Sequence, residues 1–265
     1  MPEIALNTMT NIDDTPSVDV VITEPPHPTQ PPARTATARP MPLGDGLPPF
    51  TTVLWDLDGT ISDSAAGIVA AMRATFDTFR MPIPDDATLL SYVGPPIIDS
   101  FREQGLDDAI EITHALQTYR EIYEEHGLLQ SPAFEGVGEI IAELHARGVH
   151  QSTATSKPET AASKVLEHYG LAQYFDFITG ASADESRSAK ADVVAEALAR
   201  LRSAYADLSR TIMIGDRHYD VTGSAANGVP AIYVTWGYGK VGEDEGAVAV
   251  ATTAAELREL LGLPA

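Results

Sequence analysis

Apolar residues recur along this chain with two alternating periods, and the alternation begins only at Phe50. Thr51 to Trp55 is a short β-prone run that stops at Asp56. Residues 64–80 then carry Ile68, Met72, Phe76 and Phe79 at helical spacing, with Ser62 or Ser64 available as a cap. Residues 85–126 hold no good strand. Leu89-Leu90, a helix opening at Pro95-Pro96 and the stripe Ile112, Leu116, Tyr119, Tyr123 predict several packed helices there. After Pro132 the pattern becomes regular. A helix at 136–147 leads through Gly148 to a strand at 149–154, then a helix at 158–169, a strand at 174–179 and a helix at 189–202. A strand at 211–215, a helix at 217–227, a strand at 231–235, a weak strand at 247–250 and a helix at 253–261 complete the series. Strand, crossover helix, strand, repeated, predicts an α/β fold: a Rossmann-like parallel sheet with helices on its faces. Ligands of such sheets collect at the carboxyl ends of the strands, so the polar residues there are the informative ones.

The segment before Phe50 has a different texture. It holds more than half of the 19 prolines, and its scattered apolar residues have no period with which to bury a face. Residues 1–48 are therefore expected to be a disordered, Pro-rich tail, since such a stretch cannot offset the entropy of ordering itself. It lacks the basic start and apolar stretch of a secretory leader. Pro28-Thr29-Gln30-Pro31 has the spacing of a polyproline ligand, but a solvated tail is the expected reading, and nothing else in the sequence supports a protein partner.

Charge narrows the function classes. With 17 basic and 38 acidic residues the net charge is −21, which argues against a nucleic-acid or anionic-membrane partner. No apolar run approaches the roughly 18 residues of a membrane span. The chain has no cysteine, which excludes disulfides, thiolate metal sites and cysteine nucleophiles, and a cytoplasmic location is expected.

Four strand ends carry chemistry suited to phosphate. The first is Asp56-Leu57-Asp58-Gly59-Thr60, two carboxylates that can divide a two-step displacement between nucleophile and proton donor. Gly59 comes too soon after Asp56 for an EF-hand calcium loop. The second is Thr155-Ser156-Lys157 before a helix opened by Pro158, where hydroxyls and free N–H groups can cradle phosphate or merely cap the helix. Third, Lys190 lies at a helix start, opposing the macrodipole unless an anion is bound there. It is one of four lysines, and Lys157 is another at a strand end. The fourth is Gly215-Asp216-Arg217-His218-Tyr219-Asp220. If its strand neighbours the first, Asp216 and Asp56 would repel unless a cation such as Mg²⁺ lay between them. Asp220 taken alone could equally serve the turn.

This ordered set resembles the haloacid dehalogenase (HAD) superfamily over Val53 to Leu261. Asp56-Leu57-Asp58-Gly59-Thr60 matches the first motif, Thr155 the second, Lys190 the third, and Gly215-Asp216 with Asp220 the fourth. Many relatives follow the third-motif lysine with proline, whereas here Lys190 precedes Ala191, which leaves Lys157 as a weaker stand-in. More narrowly, the runs around Gly180-Ala181-Ser182, Ser186 to Val193 and Trp236-Gly237-Tyr238-Gly239 resemble the phosphoglycolate phosphatase and 5′-nucleotidase-like branch.

The resemblance implies a core of residues 49–63 and 135–265 with a helical cap inserted over 64–134. It also implies roles. Asp56 would be the nucleophile, forming a phosphoaspartate, and Asp58 the general acid and then base. Thr155, Ser156 and Lys190 would bind the phosphoryl oxygens. Mg²⁺ would be held by Asp56, the Asp58 carbonyl, Asp216 and Asp220. The expected function is thus a Mg²⁺-dependent phosphatase of a small phosphorylated metabolite, of phosphoglycolate or nucleoside monophosphate type. HAD dehalogenases lack the second aspartate, and mutases with this cap usually carry a histidine just after the first motif, which residues 62–72 lack. A bacterial branch of HAD-fold protein tyrosine kinases also resembles the pattern, with Tyr238 then the obvious tyrosine for self-modification. A non-catalytic scaffold acting through the tail is a third alternative. Tyr92-Val93-Gly94-Pro95-Pro96 resembles the cap loop that faces the site, and Arg102 could meet a substrate carboxylate or be an ordinary surface residue.

Overall fold

A computed structural model describes residues 50–264, so the expected Pro-rich tail and its polyproline motif lie outside the described residues. Five parallel strands form one sheet in the order β2-β1-β3-β4-β5: β1 (Thr52–Trp55), β2 (His150–Thr153), β3 (Thr211–Gly215), β4 (Ala231–Val234) and β5 (Ala249–Ala251). The central β1 pairs Trp55 with Thr153 on one side and with Ile214 on the other. Strands 1, 3 and 4 are buried along their whole length, as their unbroken apolar runs require of a sheet covered on both faces. Their side chains divide between two clusters. Val53, Trp55, Ile212 and Ile214 belong to one, and Leu54, Met213 and Tyr233 to the other. This division is the period-two alternation of a strand between two helical layers.

The crossover helices are α5 (Val137–Ala146), α6 (Glu159–His168), α7 (Lys190–Ser203) and α8 (His218–Ala225), and α9 (Ala254–Leu260) follows the last strand. Between β1 and β2 the chain makes four further helices: α1 (Ala65–Thr78), α2 (Asp86–Ser91), α3 (Ile97–Glu103) and α4 (Ala109–His126). The helix α1 packs along α4 through its Ile68, Met72 and Phe76 stripe, and Phe76, Phe101 and Tyr119 meet edge to face. The chain's exit and return lie side by side, with Ser62 bridged to Ala133 and the Asp63 N–H donating to the Pro132 carbonyl at 2.9 Å. Among the described residues no helix is long and apolar enough to cross a membrane.

Three local expectations need correction. The strand expected at 174–179 is not one: a 3-10 turn spans Ala172–Tyr174, and only an isolated bridge joins Phe177 to Ser152. Three backbone bonds to β2 and its carboxyl end remain, from Asp176 N–H to the Gln151 carbonyl at 2.8 Å, from Thr153 N–H to the Phe177 carbonyl at 3.2 Å and from Thr155 N–H to the Thr179 carbonyl at 3.4 Å, but side-chain oxygens take other positions of the ladder. The Gln151 N–H donates to the Asp176 carboxylate at 2.8 Å, and the Thr153 hydroxyl both accepts from Thr179 N–H and donates to the Thr179 carbonyl, each at 2.8 Å. Pro96 is the N-cap of α3 and not its first residue. Ser64 holds the N-cap position of α1 without a capping bond, while the Ser62 hydroxyl is 2.7 Å from the Tyr169 hydroxyl.

Candidate active site

Because β1 and β3 are neighbours, the residues that follow them, Asp56 and Asp216, emerge side by side at the carboxyl edge of the sheet. Asp220 reaches the same point from the first turn of α8, where its Oδ2 accepts the Arg217 N–H at 3.0 Å. The three aspartates are buried, and each offers an oxygen within 4.8 Å of the others. Glycines make the room. Gly59, with φ of +88°, and Gly237 each face the Asp216 carboxylate so closely that a Cβ would fall 2.3 and 2.2 Å from Oδ2. The Thr60 hydroxyl and the Tyr238 N–H donate to the two Asp216 oxygens at 3.2 and 2.7 Å.

Lys190, expected at a helix start, is the first residue of α7 and is buried at this cluster. Its Nζ lies 2.7 Å from Asp56 Oδ1 and 2.8 Å from Asp220 Oδ1, and donates to the Ala154 carbonyl at 3.0 Å. Burial alone would strip its charge, but Asp220 and Asp56 outweigh burial and hold its pKa above the ordinary lysine value. Burial pushes Asp56 up to about 6, opposed by Lys190 and reinforced by the charges of Asp220 and Asp58. Burial likewise raises Asp216 well above the usual carboxylate range, with Asp220 and Asp56 adding to it.

One ammonium among three buried carboxylates leaves an excess of negative charge. Beyond Lys190 Nζ at 2.8 Å, Asp220 Oδ1 has no partner among the described residues. An all-oxygen donor set with uncompensated charge and a glycine-lined cradle fits a hard divalent cation such as Mg²⁺.

Asp58 is set apart from this cluster. Lys157 Nζ donates to both of its oxygens at 2.9 and 3.0 Å and to the Tyr123 hydroxyl of α4 at 3.0 Å. Thr155 and Ser156 are buried at the end of β2, where the Thr155 hydroxyl accepts the Lys157 N–H at 3.2 Å. A cavity of about 160 Å³ opens beside Asp58, Ser156 and Lys157 toward the four-helix segment.

Sequence reasoning missed the partners that hold these residues. It treated Lys157 only as a substitute for Lys190, although two lysines at strand ends in a chain with four were a signal for both. Arg217 was also passed over, although it lies within the fourth motif. Its guanidinium donates to the Ser91 carbonyl at the end of α2, to the Val93 carbonyl of the α2–α3 loop and to Glu243 at 2.9 Å. Tyr238 is half-buried with its hydroxyl engaged, donating to Asp63 Oδ1 at 2.8 Å and accepting the Ala65 N–H at 3.0 Å. Arg102 is an exposed surface residue paired with Asp99, outside the cavity.

Comparison with known proteins agrees with this architecture. Residues 53–234 match the family model of the haloacid dehalogenase-like hydrolases. The chain is 41% identical over 215 residues to the tyrosine-protein kinase PtkA of Mycobacterium tuberculosis, covering 80% of this chain and 72% of that protein. It is 32% identical over 197 residues to a 5′-nucleotidase of Pseudomonas aeruginosa, covering 74% and 86%. A solved structure of a predicted phosphatase from Clostridium acetobutylicum aligns with a TM-score of 0.73 at 36% identity, covering 81% of this chain and 98% of that one.

Proposed function

The chain belongs to the haloacid dehalogenase-like hydrolases, and from that premise we propose that it is a Mg²⁺-dependent phosphohydrolase acting through a phosphoaspartate. The observation that carries the proposal is the meeting of Asp56, Asp216, Asp220 and Lys190 at adjoining strand ends, with Asp58 held two residues from Asp56 by its own lysine. In this reading an Asp56 oxygen attacks phosphorus in line as the bond to the leaving oxygen breaks. Asp58 gives that oxygen its proton. Asp58 then accepts a proton from water, which attacks the phosphoaspartate. Cleavage of the phosphorus–Asp56 bond releases inorganic phosphate and restores the carboxylate. Lys190 neutralises charge on the phosphoryl oxygens, and Thr155 and Ser156 orient them. Mg²⁺, held by Asp56, the Asp58 carbonyl and Asp216 with Asp220 in support, would supply Lewis-acid neutralisation of the same oxygens. The helices α1 to α4, within residues 64–134, act as the cap that covers the site and carries substrate choice.

The relation to PtkA supports a second reading in the same chemistry, transfer of the phosphoryl group to a tyrosine hydroxyl. Incubation with γ-labelled ATP separates the two: free phosphate supports hydrolysis, and label retained on tyrosine supports transfer. Asp56→Asn is expected to abolish phosphate release while the circular dichroism spectrum stays that of the folded chain. Normal turnover by this variant would remove Asp56 as nucleophile.

A further inference from the structure

The cavity beside Asp58 is lined by Tyr92, Tyr119, Tyr123, Ile68, Ile97 and Leu128 from the four-helix segment. The Tyr119 and Tyr123 rings stack with centroids 5.7 Å apart and planes 10° apart. At about 160 Å³ the cavity is of the size that accepts a single six-membered ring; an apolar cavity of about 150 Å³ in another protein takes up benzene.

Its charged groups are already matched. The three protons of Lys157 are taken by the two Asp58 oxygens and the Tyr123 hydroxyl. Arg120 is paired with Glu185 through Nη2 and bonded to the Ala183 carbonyl through Nη1, closing the rim between α4 and the loop before α7, while its Nε is buried without a hydrogen-bond partner among the described residues. The remaining charged residue of the lining, Glu124, is paired with Lys164. The lining thus has three acidic and two basic side chains and no free cation. A leaving group that carries its own carboxylate would find apolar rings and a net negative surface, and would lose its hydration with no unpaired cation to replace it. A flat, uncharged ring would bury apolar area against the tyrosines at no such cost.

We propose that this cavity selects a neutral, ring-bearing leaving group, so that the preferred phosphomonoesters are those of ring alcohols and not of small carboxylic acids such as glycolate. The inference rests on the phosphohydrolase reading, because the cavity adjoins the phosphoryl site assigned there. Two sources share the chemistry: a phenolic ester, with its ring on the ester oxygen, and a nucleoside monophosphate, with its base one sugar away.

Calorimetric binding to the full chain in Mg²⁺ tests it with phenylphosphonate, adenosine 5′-monophosphate and phosphonoacetate. The tighter of the two ring ligands is expected to bind about 10- to 100-fold more strongly than phosphonoacetate, and which one is tighter identifies the source. Equal or tighter binding of phosphonoacetate overturns the proposal. Ile97→Trp, which fills the cavity from its rim, is expected to bring the ring-to-carboxylate affinity ratio toward one, and an unchanged ratio also overturns it. Turnover of phenyl phosphate is measured separately. Ring selectivity without turnover refutes the catalytic reading alone, whereas turnover with reversed selectivity refutes the cavity assignment alone.

Discussion

Replacing Lys190 by methionine keeps the approximate length of the side chain and removes the one ammonium among the described residues that touches Asp56 and Asp220. In the native protein Lys190 is 6% exposed and its ammonium lies 2.7 and 2.8 Å from the two carboxylates. Its removal leaves three buried aspartates within 4.8 Å of one another. Breaking a buried ion pair by deleting one partner costs about 3–5 kcal/mol, a large share of the roughly 5–15 kcal/mol that stabilises an ordinary domain. For a denaturant slope of about 2 kcal/mol/M, a 4 kcal/mol loss shifts the urea midpoint down by roughly 2 M. The assay is urea unfolding of both proteins in EDTA and again in excess Mg²⁺. In EDTA the full loss is expected. In Mg²⁺ the variant should recover more stability than the native protein does, because the cation no longer competes with a lysine for the same oxygens. Saturation at about 100 times the dissociation constant is worth about 2.7 kcal/mol. Loss of less than about 1 kcal/mol in EDTA, or equal Mg²⁺ stabilisation of both proteins, would refute the claim that Lys190 and the cation neutralise one cluster.

Stability without metal should also depend on pH. Asp56 is raised to about 6 in the folded state, so between roughly pH 4 and 6 the native protein holds a proton that the unfolded chain has released. The Asp56 contribution to stability in EDTA, read as the difference between the native protein and Asp56→Asn, is therefore expected to be highest below that window and to fall as pH rises through it, and Mg²⁺ should flatten the fall; a rise of this difference across the window in calorimetric melting would contradict it. Arg217→Met removes the bonds from the fourth motif to the Ser91 and Val93 carbonyls, and is expected to raise KM severalfold while changing kcat less. Steady-state kinetics on phenyl phosphate decide it, and a loss confined to kcat would exclude a positioning role for the loop. Tyr238→Phe deletes the bonds to Asp63 and Ala65 and should cost about 1 kcal/mol of stability. Because this hydroxyl is engaged and its pKa is raised, chiefly by burial, the variant should leave any autophosphorylation from labelled ATP unchanged; disappearance of label would identify Tyr238 as the acceptor after all.

The α/β order of the elements was legible in the sequence because a strand or helix with one buried face writes its period locally. The polar residues at strand ends were legible for the same reason: Asp56, Asp58 and Gly59, or Gly215, Asp216 and Asp220, are close enough in sequence to be read as a unit. Tertiary structure alone decided that β1 lies between β2 and β3, and hence that Asp56 and Asp216 meet. It also decided that Lys190 bridges Asp56 and Asp220 while Lys157 binds Asp58 and Tyr123. Lys157 follows β2 and Lys190 opens α7, and nothing local to either distinguishes the carboxylate it will reach. The strand expected at 174–179 belongs to the same class, since its apolar run is real and Asp176, Phe177 and Thr179 do bond to β2 and its carboxyl end, but the Thr153 and Asp176 side chains took part of the ladder once β2 lay beside it. Periodicity records which side of an element is buried. Which partner lies across from it, and so the distances and desolvation that set charge and hydrogen bonding, depends on residues far away in the chain.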